Sequence, residues 1–447
     1  MSFRCQVCGY RSPKWLGRCP QCGNYGTFVE VEEEKEAKTQ VPPELLSHEP
    51  PKPLPEVPAP PPERLSTGMP EVDRVLGGLV PGAVVLFGGE PGIGKSTLLL
   101  QIAANLAERY GKVLYVSGEE APSQIKLRAQ RLGREISDLY LLSTQDLLAI
   151  LNAVSRVAPM ALVVDSLQTV LADPAGGEVG SLSQVRESAA QLSRVAKTAG
   201  IVTFLVSHIT KEGGFAGPKT VEHLVDVAVY LEGIREGDLR ILRCVKNRYG
   251  STAEVAVLEM TGKGLVEVPN PSLFFISKEA LPRPGTAIVP VLEGTRTLLV
   301  EVQALVTPAG GYGPPQRRMA GLDLNRTLVL LAVIEKHLGV HTRALDVYLA
   351  VAGGLEVTEP AADLGICAAV LSSLRDRPIP QDTVVLGEVG LAGDLRPVRK
   401  GPERLQEVAK LGFRRAVVSH QPLPKKLELE VVRAKTLREA LEALELL

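Results

Sequence analysis

A chain of 447 residues is longer than one core usually holds and predicts two to four domains at about 100–200 residues each. Its 45% hydrophobic and 23% charged residues exclude a disordered or collagen-like chain, and no apolar run nears the roughly 18 residues of a membrane span. Fifty basic against fifty-one acidic residues, with 4% aromatics, exclude a globally basic nucleic-acid binder or a many-ringed reader of single strands, so any nucleic-acid contact must be a local, backbone-directed patch.

The first residues lack the basic, apolar and small-residue stretches of a signal peptide, which predicts a cytoplasmic location. In that compartment four cysteines between Cys5 and Cys22 are expected to be metal ligands, not disulfides. Cys5-x-x-Cys8 and Cys19-x-x-Cys22, ten residues apart, form two knuckles able to offer four thiolates to one tetrahedral ion. Four thiolates leave no open position, which predicts a structural Zn²⁺ in a module over residues 1–29. Cys244 and Cys367 lie in apolar runs and read as buried small hydrophobes.

Residues 30–63 read as a linker. Glu30–Lys38 is mostly acidic, and Pro42–Pro62 holds ten prolines that favour an extended, semi-rigid spacer.

From residue 64 to about 270, short β-rich runs alternate with helical patterns, as in a mainly parallel α/β sheet. The strands are expected at Ala83–Phe87, Val113–Ser117, Ala161–Val164 and Ile201–Val206, the helices at Ser96–Tyr110, Ser123–Leu132, Asp146–Val157 and Ser183–Thr198. Leu224–Leu231, Leu239–Val245 and Glu254–Glu259 follow with short connections and predict antiparallel additions. Pro269, Pro271, Pro282, Pro284 and Pro290 mark a change of element type. Beyond them, residues 271–447 predict an α+β domain, with strands at Thr297–Leu305, Arg343–Val351, Val384–Glu388 and Arg415–Val418. Its helices are expected at Asn325–His337, at Ala361–Leu374 and from Leu437.

Gly89-Glu90-Pro91-Gly92-Ile93-Gly94-Lys95-Ser96, followed by Thr97, matches the phosphate-binding loop, with a strand entering it and a helix leaving it. The glycines let backbone N–H groups surround a β-phosphate, Lys95 reaches the β/γ oxygens of ATP, and the Ser96 hydroxyl can ligate Mg²⁺. The metal needs a carboxylate at the end of a buried strand, and Ala161–Asp165 supplies Asp165. Glu119 and Glu120, just after the strand Val113–Ser117, are both candidates to orient the attacking water. His208, ending another strand, is placed to sense the γ-phosphate. His337 and His341 are four apart, but Gly339 lies between them and no Glu follows His337, so they are not read as zinc ligands.

Taken in order, the four-cysteine knuckle, the GGEPGIGKST loop, the SGEE segment at Ser117–Glu120, the VVDS segment at Val163–Ser166 and Lys246-Asn247-Arg248-Tyr249-Gly250 resemble the RadA (Sms) family of bacterial DNA-repair proteins. The KNRYG segment is the most specific of these. The resemblance implies a RecA-like ATPase core fused to a Lon-protease-like domain. It also implies a hexameric ring on single-stranded or branched DNA that uses ATP to process recombination intermediates beside a RecA-type recombinase. It favours Glu119 over Glu120 as the catalytic carboxylate, and makes Lys246 and Arg248 finger residues offered to ATP in the neighbouring subunit. Their spacing of two predicts one shared strand face. Ala172–Arg186 and Thr210–Thr220 resemble DNA-facing loops, with Lys211 and Lys219 contacting phosphates. The resemblance also poses an ATP-dependent peptidase as a rival, but the Lon serine position falls on Asp363 and the lysine position on Pro402, so the dyad is missing. The domain then reads as a scaffold, with Arg317, Arg318, Arg326 or Arg343 as DNA contacts. A third reading is an ATP-switched adaptor that recruits a recombinase.

Overall fold

The computed structural model describes residues 2–5, 7, 11–12, 14–31, 52–56, 64–134, 136–172, 178–208, 219–234, 237–276, 282–310 and 314–447. Most of the proline-rich linker, Cys8, Lys211 and the segment 209–218 lie outside these residues, and the side chain of Lys219 is likewise not described.

The N-terminal unit is a three-stranded antiparallel sheet. Its strand β1 (Ser2–Cys5) is flanked by β2 (Arg11–Ser12) and β3 (Phe28–Val31), and Cys5, Cys19 and Phe28 are buried at its centre.

The second unit begins with α1 (Pro70–Leu76), which has Pro70 in its first turn, where a missing N–H costs nothing. Then come β4 (Val84–Gly89), α2 (Lys95–Tyr110), β5 (Val113–Ser117), α3 (Pro122–Arg131), β6 (Leu139–Ser143) and α4 (Leu147–Val157). Asp146 caps α4 by accepting from the N–H groups of Leu148 and Ala149, as a short carboxylate does at a helix start. After them run β7 (Ala161–Asp165), α5 (Leu182–Ala199), β8 (Val202–His208), α6 (Lys219–Glu222), β9 (Val227–Gly233), β10 (Leu239–Asn247), β11 (Val255–Thr261), β12 (Gly264–Glu267) and α7 (Ser272–Phe275).

The nine strands lie in the order β12-β11-β10-β9-β4-β8-β7-β5-β6, parallel from β9 through β6 and antiparallel from β9 out to β12. Alternation along β4 sends Val85 and Phe87 to the face covered by α1 and α2, and Val84 and Leu86 to the face covered by α4 and α5. A sheet buried on both faces explains why its strands read as continuous apolar runs. Leu182–Arg186, which the resemblance places in a DNA-facing loop and the apolar pattern places in a helix from Ser183, is the first turn and a half of α5.

The third unit holds β13 (Thr286–Glu293), β14 (Arg296–Pro308), β15 (Arg317–Ala320), α8 (Leu324–Leu338), β16 (Leu345–Val351) and α9 (Asp363–Arg375). It continues with β17 (Thr383–Leu386), β18 (Glu388–Val389), β19 (Leu395–Arg396), α10 (Gly401–Lys410), β20 (Arg415–Ser419), β21 (Glu430–Ala434) and α11 (Leu437–Ala443). Seven of these strands form a mixed sheet in the order β15-β16-β14-β13-β17-β20-β21. Pro290 lies inside β13, not at a boundary. The strand tolerates it because its pairing with β17 is limited to Ile288 and Val384, so no ladder partner awaits a donor at residue 290. The run Val384–Glu388 is two strands, β17 and β18, separated by Gly387.

The second and third units share one apolar cluster, in which Ile241, Val257 and Phe275 meet Val289, Val300 and Leu349. Ion pairs rim it: Arg296 reaches Glu71, Arg74 reaches Glu254, and Arg243 holds Glu293 at 2.5 Å.

Candidate functional site

In the N-terminal unit, the N–H of Cys19 donates to the carbonyl of Asn24 and its carbonyl accepts from Gly23, both at 2.9 Å, closing a tight knuckle. This brings Cys22 to Cys5: their sulfurs are 3.7 Å apart, and the sulfurs of Cys5, Cys19 and Cys22 all lie within 4.8 Å of one another. Thiolates around zinc at about 2.3 Å in tetrahedral array stand about 3.8 Å apart, so these three fit that ion.

The phosphate loop joins β4 to α2 at the C-terminal end of the parallel strands. Gly92 and Gly94 have φ of 76° and 113°, a backbone that side chains strain to adopt, and a Cβ on Gly94 would stand 2.5 Å from Cε of Met260. Ser96 and Thr97, half-buried, follow Lys95 in the first turn of α2. Lys95 is 3% exposed, and its Nζ donates to the carbonyls of Gly89 and Glu90, both at 2.9 Å, and lies 3.1 Å from Nδ1 of His208. Burial pulls this ammonium down to about 8, against the opposing pull of Asp165 and Glu119.

Asp165 ends β7, two strands from β4 with β8 between them. The buried Tyr115 hydroxyl donates to its Oδ2 at 2.7 Å, and burial together with that carboxylate raises the Tyr115 phenol well above its ordinary value. Burial, and then the charge on Lys95, lowers His208.

The two adjacent glutamates separate. The Ser117 hydroxyl accepts from the N–H groups of Glu119 and Glu120 at 3.3 and 2.9 Å, fixing the turn after β5. Glu120 then pairs with Arg128 of α3. Glu119 turns the other way: its Oε1 accepts from the Ser166 hydroxyl at 2.8 Å and lies 3.6 Å from Nε2 of His208. The turn requires glycine at 118, where any Cβ would collide with Oγ1 of Thr169.

Lys95, Glu119, Asp165 and His208 therefore converge on one end of the sheet. Lys246 and Arg248 are at the other. Strand β10 carries a bulge between Cys244 and Lys246 and ends at Asn247, so the two cations do not share a regular strand face. Nζ of Lys246 donates to the Glu222 carbonyl at 2.6 Å, and Arg248 contacts Asp226 at 3.1 Å. Asn247 pairs with Val227, next to Val85 at the start of β4. The five steps from Val84 to Gly89, at about 3.3 Å each, put the phosphate loop about 17 Å away.

Tyr115, Ser166, Gln168 and Asp226 were not singled out from the sequence. Gln168 donates to the Ser207 hydroxyl at 2.8 Å and to the His208 carbonyl at 3.2 Å. Each finds its partner on another element, which nothing local in the sequence reveals.

In the third unit, Asp363 is 1% exposed; Arg326 grips it through Nε at 3.1 Å and through a second nitrogen, and the Val389 N–H donates to it at 3.1 Å. Arg326 is thus engaged within the fold. Arg317 donates to the carbonyls of Gln316, Leu345 and Thr342, Arg343 pairs with Glu335, and Arg318 is exposed on β15. Nε2 of His337 lies 3.0 Å from the Leu391 carbonyl. No helix among the described residues is long and apolar enough to cross a membrane.

Residues 50–214 match the family described as AAA domain, and residues 3–30 match the rubredoxin metal binding domain. The protein named DNA repair protein RadA in Halalkalibacterium halodurans is 44% identical over 98% of this chain and 97% of its own. Those of that name in Bacillus subtilis and Streptococcus pyogenes are 45% identical over 98% and 97%, and 46% identical over 92% and 91%. With a zinc ribbon, a RecA-like ATPase core and a further C-terminal α/β region, and with this similarity along nearly its whole length, the chain belongs to the family of the DNA repair protein RadA.

Proposed function

We propose that the chain is a DNA-dependent ATPase motor that assembles as a homohexameric ring in the cytoplasm and displaces or branch-migrates strands of recombination intermediates beside a RecA-type recombinase. Backbone N–H groups of residues 92–97 cradle the phosphates, and Lys95 moves from its loop carbonyls onto the β/γ oxygens. Ser96 and Asp165 are the residues that would hold Mg²⁺, which would supply positive charge against the transferred phosphoryl group. Glu119, kept off Arg128 by its bond to Ser166, orients the attacking water and takes its proton. Lys246 and Arg248 complete the neighbour's site, Lys211 and Lys219 touch DNA phosphates, and the Lon-like C-terminal domain over residues 271–447 serves as a scaffold.

The observation that carries this reading is the position of Arg248 at the start of β4, about 17 Å from its own phosphate loop. A guanidinium there serves hydrolysis only across a subunit boundary, which makes turnover depend on assembly. A peptidase is disfavoured because Asp363 is sequestered by Arg326, and Pro402 offers no amine.

Strand displacement on labelled forked DNA tests the motor. ATP-driven release of the labelled strand, lost in Lys95→Ala, is expected. ATP turnover stimulated by DNA without release would instead favour a recombinase adaptor.

A further inference from the structure

Asp226 precedes β9 and is 2% exposed. Its Oδ2 accepts from the N–H of Val84, the first residue of β4, at 3.1 Å, and its own N–H donates to the Val84 carbonyl at 2.9 Å. Its other oxygen, Oδ1, lies 3.1 Å from the Arg248 guanidinium and 3.4 Å from Nζ of Lys197. Its carbonyl accepts from the Arg248 N–H at 3.0 Å. One buried residue thus grips both the backbone and the side chain of Arg248 while hydrogen-bonded to the first residue of the strand that leads into the phosphate loop.

The charge on that residue needs an explanation. Anchoring the start of β4 takes a single neutral acceptor, such as an amide oxygen, and a buried carboxylate costs free energy unless cations meet it. The cations that meet it are Arg248, whose side chain is 53% exposed, and Lys197, 50% exposed. Arg248 is therefore tethered at one nitrogen, with much of its guanidinium free to face outward.

We propose that Asp226 is a positioning residue: its carboxylate aims Arg248 at the nucleotide bound by the neighbouring subunit and ties that aim to β4 of its own subunit. This rests on the action of Arg248 across the boundary proposed above. Strand β4 then links the two sites of each subunit, with the phosphate loop at its end and the anchored finger at its start.

Asp226→Asn keeps the shape and the acceptor for Val84 and removes only the charge. It is expected to lower kcat about tenfold to a hundredfold, the weight of one charge-assisted hydrogen bond, with KM for ATP within about twofold. In an Arg248→Ala background the same change is expected to add no further loss, because its route to the reaction is already gone. An unchanged kcat, or an equal loss in both backgrounds, would overturn the inference.

Mixed rings separate the two sites Asp226 touches. Asp226→Asn subunits combined with Lys95→Ala subunits are expected to regain turnover where a Lys95→Ala finger meets an Asp226→Asn phosphate loop. No regain, in rings where Arg248→Ala subunits do regain it, assigns Asp226 to its own loop and overturns the inference. Failure of the Arg248→Ala mixture itself removes the trans reading, and this inference with it. Should Asp226→Asn not fold, Asp226→Glu keeps the charge, shifts it by one methylene and serves in the same cycle.

Discussion

The Ser166 hydroxyl donates to Oε1 of Glu119 at 2.8 Å, joining the end of β7 to the turn after β5 and holding that carboxylate 3.6 Å from His208. Its neighbour Glu120 is tied to Arg128 instead. Glu119→Gln is therefore expected to lower ATP turnover by about 10²–10⁴-fold while nucleotide binding persists, the range of a lost general base. Glu120→Gln, which breaks a partly exposed ion pair, should leave turnover near wild type. Steady-state phosphate release alongside binding of a fluorescent nucleotide checks both, and equal losses in the two variants would refute the assignment.

The lowered Lys95 ammonium makes nucleotide binding depend on pH. Without nucleotide, Lys95 loses its proton near pH 8, and phosphate oxygens favour its return. Affinity for ATP is expected to be flat below that pH and to fall above it, by up to about tenfold per unit, with proton uptake on binding. Stability of the nucleotide-free chain moves the other way. The folded value lies below the ordinary 10.5, so the cost of the buried charge is full below pH 8 and is relieved as pH rises from about 8 towards 10.5. Calorimetric titration in two buffers of different ionisation enthalpy detects the uptake, which Lys95→Arg should abolish because a guanidinium stays charged.

Cys19 is 1% exposed beneath the knuckle, and its removal leaves too few thiolates to hold the ion. Cys19→Ala, or a zinc chelator, is expected to unfold the sheet of β1, β2 and β3 and to leave the melting transition of the ATPase core in place. Hydrogen exchange followed segment by segment distinguishes this from a loss of cooperative unfolding in the core.

Placing a hydroxyl at residue 363 should not create peptidase chemistry. Asp363→Ser supplies a nucleophile without a base and takes the carboxylate from the partly exposed Arg326, at a cost of about 1–3 kcal/mol for the lost charge-assisted hydrogen bonds. Unchanged cleavage of a fluorogenic peptide, together with a lower unfolding midpoint, is the expected pair of results. Measurable cleavage would revive the peptidase reading.

How much of this was legible in the sequence varies with the distance over which each residue finds its partner. The phosphate loop, Asp165 and the two cysteine knuckles are local patterns, and their strands and helices follow from apolar periodicity along β4, α2, β5 and β7. The divergence of Glu119 from Glu120 is not local, because it depends on Ser166 arriving from β7 and Arg128 from α3. Asp226 and Arg248 are 22 residues apart and meet only because β10 folds back antiparallel on β9. The bulge that ends the simple alternation before Arg248 leaves no mark on the spacing of Lys246 and Arg248. β6, β12 and β18 also escaped, since two to five residues carry too little periodicity, as did α10, which begins at a Gly-Pro pair.

The claim on which the account most depends is that each hydrolytic site is completed by its neighbour. Lys95→Ala subunits lack hydrolysis but keep Arg248, and Arg248→Ala subunits keep the phosphate loop but lack the finger, so each alone should be inactive. Mixed in equal amounts, with mixed assembly verified by mass, they are expected to recover ATP turnover at the interfaces where a complete loop meets a complete finger. Turnover no higher than that of the separate variants would contradict the account and return Arg248 to a role within its own subunit.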